Sequence, residues 1–213
     1  MITYHRRRII FFDLDGTLHQ EDIFRSFICW LLRRNLLNIL PLLVVLPLIC
    51  LGLIMNGRAS CWPISLLLWS ITVGRSESLL LQQEAEFTNW FLQRQTPFLK
   101  IHQRVSEYIS SQDTDVWLIT GSPQALVERI YCNVDFFPHI RLIASQMIRA
   151  YGGRVLSRRC VGREKVAQLT KRIGQPLKLE SGYSDSTLDD PLLLFCRNRF
   201  RVTPSGDFYK ILS

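Results

Sequence analysis

The stretch Ile9 to Leu18, IIFFDLDGTL, constrains this chain more than any other. Four large apolar residues in a row, Ile9, Ile10, Phe11 and Phe12, read as a strand buried on both faces. A buried strand should not end in carboxylates without a reason. Asp13 and Asp15 lie two residues apart, so an extended chain points both side chains to one side, and Gly16 with Thr17 supplies the tight turn that follows. Two like charges held together at the C-terminal end of a strand ask for a cation, and oxygen donors of this kind suit Mg2+. A strand followed by a plain Asp-Gly turn is the competing reading, and the remainder of the chain must decide.

The chain has 213 residues, enough for one domain with a small insertion, and a formal net charge of +8. A basic protein is drawn to nucleic acid, anionic membrane surfaces or acidic substrates, and composition alone does not choose among them. Much of the charge is arginine beside apolar segments (Arg6, Arg7, Arg8; Arg33, Arg34; Arg58; Arg75), the arrangement expected next to a cytoplasmic membrane face. Membrane is therefore expected as a partner, and nucleic acid is not. The six cysteines (Cys29, Cys50, Cys61, Cys132, Cys160, Cys196) include no CxxC pair and point to reduced thiols in a cytosolic setting. The histidines (His5, His19, His102, His139) are isolated, which argues against a histidine metal site. The basic run before Phe12 resembles the start of a signal peptide, but Asp13 interrupts the apolar run too early, so this segment is expected to belong to the folded protein.

From Glu21 to Arg34, apolar Ile23, Phe27, Trp30 and Leu31 fall on one helix face. Leu36 to Met55 then runs uncharged for 20 residues, the length needed to cross a hydrocarbon core, with Pro41 and Pro47 expected to kink it. The turn signal Asn56-Gly57-Arg58 leads into a second, shorter apolar run, Ala59 to Val73. A helix capped by Ser76 is expected to Gln95, and another from Pro97 to Ser111. Strands are expected at Val116–Ile119, Arg141–Ala144, Leu177–Leu179, Leu194–Cys196 and Phe200–Val202, with helices at Pro123–Cys132 and Arg163–Ile173. Alternating strands and helices make a parallel α/β sheet, whose ligands bind at the C-terminal ends of the strands. The C-terminal PSGDFYKILS supports no assignment.

Topology limits the apolar pair. One lone crossing at Leu36–Met55 would leave Asp13 on one side of the membrane and everything after it on the other. A site drawing on both parts then requires the pair to return, as a shallow hairpin or as an amphipathic pair in the interface. A hydrophobic helical cap buried within a soluble protein is the alternative, though few polar residues remain to cover its outer face.

Three further stretches supply what an aspartate pair needs for phosphoryl transfer. In VWLITGSP, Thr120 and the Gly121 and Ser122 amides precede a helix opened by Pro123, and helix N-termini bind anions. In GREKVAQL, Lys165 stands in the first helical turn, where a cation opposes the dipole unless an anion or the Asp13 and Asp15 pair offsets it. In SGYSDSTLDDP, Asp185, Asp189 and Asp190 gather after a strand; Asp185 can ligate Mg2+, and Asp189 can orient Lys165 or a metal-bound water. Each stretch alone is also ordinary surface.

Taken in order, these stretches resemble the haloacid dehalogenase superfamily of phosphatases. The resemblance implies a Rossmann-like parallel core from 1–20 and 97–213, an inserted helical, membrane-associated cap from 21–96 with a hairpin at 36–55 and 59–73, and Mg2+ dependence. It implies Asp13 as nucleophile, Asp15 as acid and base, Thr120 and Lys165 as phosphate contacts, and Asp185 with Asp189 as the metal loop, so that Asp13, Asp15 and Asp185 hold the ion. Ser184 stands where glycine usually precedes the acidic residue. FFDLDGTLHQ, WLITGSPQALVE, LIASQMIRAYGG, REKVAQL and GYSDSTLDDPLL look further like the bacterial phosphatidylglycerophosphatase C family, which implies a phospholipid substrate, phosphatidylglycerol phosphate, and a place at the bacterial inner membrane with the core facing the cytoplasm. No obligatory protein partner is evident. A tethered phosphatase for a soluble phosphomonoester such as phosphoserine, and a non-enzymatic adaptor on the same fold, are the competing functions. Arg149, Arg154, Arg158 and Arg159 are candidates for a second anionic group of the substrate.

Overall fold

A computed structural model describes residues 7–57, 59–111 and 113–211, so the readings made of His5, Arg6 and Arg58 lie outside the described residues. The apolar run at the start is strand β1 (Arg8–Phe12), and it lies in the middle of a seven-stranded sheet of order β4-β3-β2-β1-β5-β6-β7. β2 (Thr114–Pro123) and β5 (Leu179–Ser184) flank it in parallel, and β3 (Arg141–Ala150) and β6 (Cys196–Val202) extend the parallel set. Only the edges are antiparallel, where β4 (Gly153–Arg158) and β7 (Phe208–Lys210) fold back as hairpins.

Alternation along β1 divides the core. Ile10 and Phe12 face a cluster with α5 (Leu99–Ser110), α6 (Gln124–Tyr131) and the inserted helices, whereas Phe11 faces a cluster with α7 (Arg163–Ile173) and α8 (Asp190–Leu193). Phe12, Tyr183 and Phe200 stack across three neighbouring strands, with ring centroids 4.5 Å apart and planes 9° apart at each step.

Several elements differ from the sequence expectation. The strand expected at Leu177–Leu179 begins at Leu179 and runs on to Ser184. On the face toward Phe11 packing forbids a side chain at Gly182, where a Cβ would sit 2.2 Å from the Phe11 ring and 2.7 Å from Cys196 Sγ. Of the strand expected at Leu194–Cys196, Leu194 and Phe195 form the turn after α8 and only Cys196 joins Phe200–Val202 in one strand, β6, whose half-exposed middle carries Arg197, Asn198 and Arg199. β4 and β7 were not expected. β4 follows a two-residue turn at Tyr151 and Gly152, both with positive φ (53° and 77°), the geometry of a tight hairpin connection.

Between β1 and α5 stand the inserted helices α1 (Ile23–Arg34), α2 (Ile39–Asn56), α3 (Cys61–Thr72) and α4 (Glu77–Leu92). Asp22 caps α1 through the Arg25 amide at 2.7 Å, and Ser76 caps α4 through the Leu79 amide at 3.3 Å. Phe27, Leu68, Ile71, Phe87 and Phe91 bury these helices against the face that carries Phe12. α3 lies along the edge strand β4, where Thr72 Oγ1 accepts from the Arg154 amide at 2.8 Å and Ser65 Oγ from the Leu156 amide at 2.9 Å, so serine and threonine side chains satisfy an edge that would otherwise be open. The buried Arg154 guanidinium pairs with Glu84 at 3.0 Å and ties β4 to α4.

α2 behaves differently. Pro47 lies inside it without ending it, and of the uncharged stretch Leu36–Met55 only 17% is buried, with Val44 and Ile54 about four-fifths exposed (79% and 81%). It rests on α3 through Gly52, where a Cβ would lie 2.3 Å from the Trp62 ring. At its base the Asn38 side-chain amide donates to the Val73 carbonyl at 2.8 Å, and Arg75 donates to Asn38 Oδ1 at 2.8 Å. The start of α2 and the end of α3 are thereby held at one place.

Candidate active site

The C-terminal ends of β1, β2 and β5 and the first turn of α7 converge on a cleft of about 210 Å3, lined among others by Asp13, Asp15, Ser122, Lys165, Asp185 and Asp189. Lys165, 3% exposed, donates to Asp13 Oδ1 at 2.7 Å and to Asp189 Oδ2 at 2.8 Å. Burial alone would push its pKa down, but Asp13 and Asp189 more than offset this and hold the ammonium charged. Burial pushes the Asp13 carboxyl well above the ordinary range; Lys165 opposes this, while Asp189, Asp15 and Asp185 add to it. Asp189 is fixed by a third group, the Ser184 hydroxyl at 2.7 Å. The serine found where glycine is usual therefore orients the aspartate that orients Lys165. Asp190 turns away to pair with Arg201.

Asp15 lies within a separate set of donors. Its Oδ2 accepts from Ser122 Oγ at 2.7 Å and from Thr120 Oγ1 at 3.0 Å, and its Oδ1 from the Ile23 amide at 2.7 Å. Burial raises its pKa, but the neighbouring His19 and the Ile23 and Ser122 donors outweigh that and hold Asp15 below the usual carboxylate range. Thr120 is fully buried and donates to Asp15, while Ser122 lines the cleft, gives its hydroxyl to Asp15 and donates its amide to Thr120 Oγ1 at 3.0 Å. Gly121 lines the cleft.

Asp185 approaches from the opposite loop. Its amide donates to the buried Thr17 hydroxyl at 3.1 Å, and its carboxylate lies over Gly16, where a Cβ would stand 2.4 Å from Oδ2. Gly16 also has φ 73°, a conformation that favours glycine, so the DG pair is required twice over.

A model of the haloacid dehalogenase-like hydrolase family matches residues 10–194, the greater part of the chain and every residue of this cleft. The chain belongs to the haloacid dehalogenase-like hydrolases. Solved structures similar to it include a protein of unknown function from Bordetella pertussis Tohama I, 19% identical, covering 92% of this chain and 90% of that one at a TM-score of 0.64. A phosphoserine phosphohydrolase-like protein from Francisella tularensis subsp. tularensis SCHU S4 is 15% identical over 93% of this chain and 88% of its own, at 0.60. A phospho-aspartyl intermediate analogue of phosphoserine phosphatase is 12% identical over 91% and 85%, at 0.56. At these identities the likeness is one of fold.

The donors of this hydrolase fit a hard divalent cation. Three carboxylates crowd Asp13 and Lys165 opposes them, a crowding that a divalent cation held by Asp13 and Asp185 would relieve. Among the described residues no group of three or more acidic, histidine or cysteine side chains is placed to hold a metal ion by itself. Mg2+ commonly takes one or two carboxylates and completes its shell with other oxygens, so Asp13 and Asp185 would hold it together with a backbone carbonyl and waters. The Asp15 side chain, turned to Ser122 and Thr120, leaves only its backbone for that shell.

One cleft neighbour escaped the sequence reading: His19, fully buried, places Nε2 3.7 Å from Asp15 Oδ1 and Nδ1 2.7 Å from the hydroxyl of Tyr131, a residue 112 positions away that no short sequence signal links to it. Arg159 is the member of the four candidate arginines that lines the cleft; Arg149 and Arg154 pair with Glu77 and Glu84 instead.

Proposed function

We propose that this hydrolase is a Mg2+-dependent phosphatase that releases the phosphomonoester of phosphatidylglycerol phosphate, at the inner face of a bacterial cytoplasmic membrane. The observation that carries the phosphatase reading is the separation of the two aspartates into different environments. Asp13 is against Lys165 and open to the cleft; Asp15 is braced by Ser122, Thr120 and the Ile23 amide.

Asp13 attacks phosphorus in line, the bond to the leaving oxygen breaks, and that oxygen takes a proton from Asp15; Lys165 opposes charge on the phosphoryl oxygens. In the second half Asp15, now a carboxylate, removes a proton from the attacking water as the bond from phosphorus to Asp13 breaks. Bound Mg2+ supplies charge neutralisation on the phosphoryl oxygens. The donors around Asp15 favour its carboxylate, which suits the second half; for the first half the proton must arrive with the substrate or before it.

Support for a lipid substrate is the bare apolar surface of α2, inserted between the halves of the site, together with the motif-by-motif likeness to phosphatidylglycerophosphatases. With its start held to the end of α3 through Asn38, α2 entering one leaflet by its exposed apolar face keeps all cleft residues on one side. The test is phosphate release from phosphatidylglycerol phosphate in detergent, with and without Mg2+, against phosphoserine. Mg2+-dependent release with preference for the lipid is expected; equal or greater turnover of phosphoserine favours the second reading, a tethered phosphatase for soluble esters, which the fold likeness to phosphoserine phosphatases keeps in view.

A further inference from the structure

Resting on that phosphatase reading, we infer that the groove between α3 and β4 seats an acyl chain of the substrate, with Arg159 at its neck holding a second anionic group of the head. The groove, of about 640 Å3, is walled by Cys61, Trp62, Leu66 and Trp69 on one side and by Val155 and Leu156 on the other. Its polar backbone is already satisfied. The Arg154 and Leu156 amides donate to Thr72 and Ser65, and Trp69 Nε1 donates to the Tyr151 carbonyl at 2.9 Å. What remains is a predominantly apolar trough, its polar side chains confined to Cys61, Ser65 and Tyr151.

At the start of α3 the trough has two definite neighbours. On the outer side the Trp62 ring packs on Gly52 of α2, so the trough continues into the exposed apolar surface of that helix. A hydrocarbon chain leaving the bilayer alongside α2 meets apolar surface throughout. On the inner side Ser60, just before α3, accepts from Arg159 Nη1 at 3.0 Å, and Arg159 itself lines the catalytic cleft. Leu156 and Arg159 are three residues apart, no more than about 11 Å along the chain. A phosphomonoester at Asp13 and an acyl chain at Leu156 therefore fit one molecule whose head passes Arg159. A planar guanidinium suits an anionic phosphodiester at that point.

The test compares kcat/KM for dioleoyl phosphatidylglycerol phosphate with that for p-nitrophenyl phosphate, using the full chain in detergent micelles with Mg2+. Leu66→Trp fills the trough and is expected to lower the ratio of lipid to soluble ester by about tenfold or more. Leu66→Met, close in volume, is expected to keep the ratio within about threefold. Val155→Phe, narrowing the trough from the β4 side, is expected to move the ratio in the same direction as Leu66→Trp, and serves if that variant fails to fold. An unchanged ratio, or proportional loss on both esters, overturns the acyl-chain assignment while the phosphatase reading stands. A ratio unchanged while Leu66→Trp converts a dimer to a monomer assigns the trough to a second copy of the chain and equally overturns it. Release of phosphate from neither ester by the wild-type chain overturns the phosphatase reading and this inference with it.

Discussion

Lys165 Nζ stands 2.7 Å from Asp13 Oδ1, although 152 residues separate the two in the chain. The same ammonium reaches Asp189 at 2.8 Å, so one buried cation joins the first turn of α7 to the segments that follow β1 and β5. Removing it leaves buried carboxylates uncompensated, and Lys165→Met is expected to destabilise the fold by about 3–5 kcal/mol and to abolish turnover. Replacing Asp189 by Leu in the same chain removes part of that penalty, so the double variant should recover much of the stability with no recovery of phosphate release. Denaturant unfolding beside the phosphate assay separates these outcomes; parallel recovery of both would reduce Lys165 to a structural role.

Asp13→Asn keeps the shape of the site and removes the attacking oxygen's charge. Turnover is expected to fall on the order of 10^4-fold or more. Asp190→Asn is the informative control, because Asp190 faces Arg201 at the surface rather than Lys165. Its loss should leave stability within about 0.5 kcal/mol and turnover near wild type, whereas Asp189→Asn should impair both.

The pH profile reports on Asp15. Ser122 and Ile23 donate to its carboxylate and favour the charged form, holding its pKa below the ordinary value. Ser122→Ala removes one donor, so the pKa must rise toward the ordinary value. Hydrolysis of the acyl-phosphate needs the carboxylate as base, and the acidic limb of kcat should therefore move to higher pH. A limb that stays in place, or moves to lower pH, would remove Asp15 from the base role.

Gly16 is constrained both by φ 73° and by the Asp185 carboxylate over its α-carbon. Gly16→Ala is expected to cost roughly 1–2 kcal/mol in backbone strain, and in addition to displace Asp185, because the new methyl occupies that carboxylate's place. A weaker apparent affinity for Mg2+, measured by titrating activity and by calorimetry on the folded variant, is the expected consequence. Unchanged metal affinity would argue that Asp185 is not a ligand.

How far sequence carried the site follows from the same residues. Asp13, Asp15, Lys165 and Asp185 were legible because each stands where an apolar run stops or a helix starts, and polar groups at those points need a reason. Thr120 and Ser122 were legible as positions, whereas their hydroxyl bonds to Asp15 depend on a side-chain direction that strand-end patterns do not encode. β5 was displaced because Gly182 must be small beneath Phe11, and Glu180, Ser181 and Gly182 interrupt the apolar signal between Leu179 and Tyr183. β4 was missed for a related reason: its edge is covered by hydroxyls from α3, about 90 residues earlier, a partnership that no local window contains.

The last prediction concerns the hairpin. Asn38 is buried at its base, giving its amide hydrogens to the Val73 and Ser70 carbonyls and its oxygen to Arg75, so three backbone or charged groups lose partners if it is removed. Asn38→Leu is expected to cost about 1–3 kcal/mol through those unsatisfied groups. The consequence for location is separate. Val44 and Ile54 make no buried contact that a polar residue would break, so Val44→Lys with Ile54→Lys should leave the core folded by near-ultraviolet circular dichroism. Two charges on a helix that enters hydrocarbon instead cost roughly 2.5–3.5 kcal/mol each at its centre, and binding to vesicles of bacterial lipid composition should fall accordingly. Loss of vesicle binding with hydrolysis of p-nitrophenyl phosphate retained places membrane attachment in α2 and chemistry in the cleft. Full vesicle binding by the double lysine variant would show that α2 lies outside the bilayer.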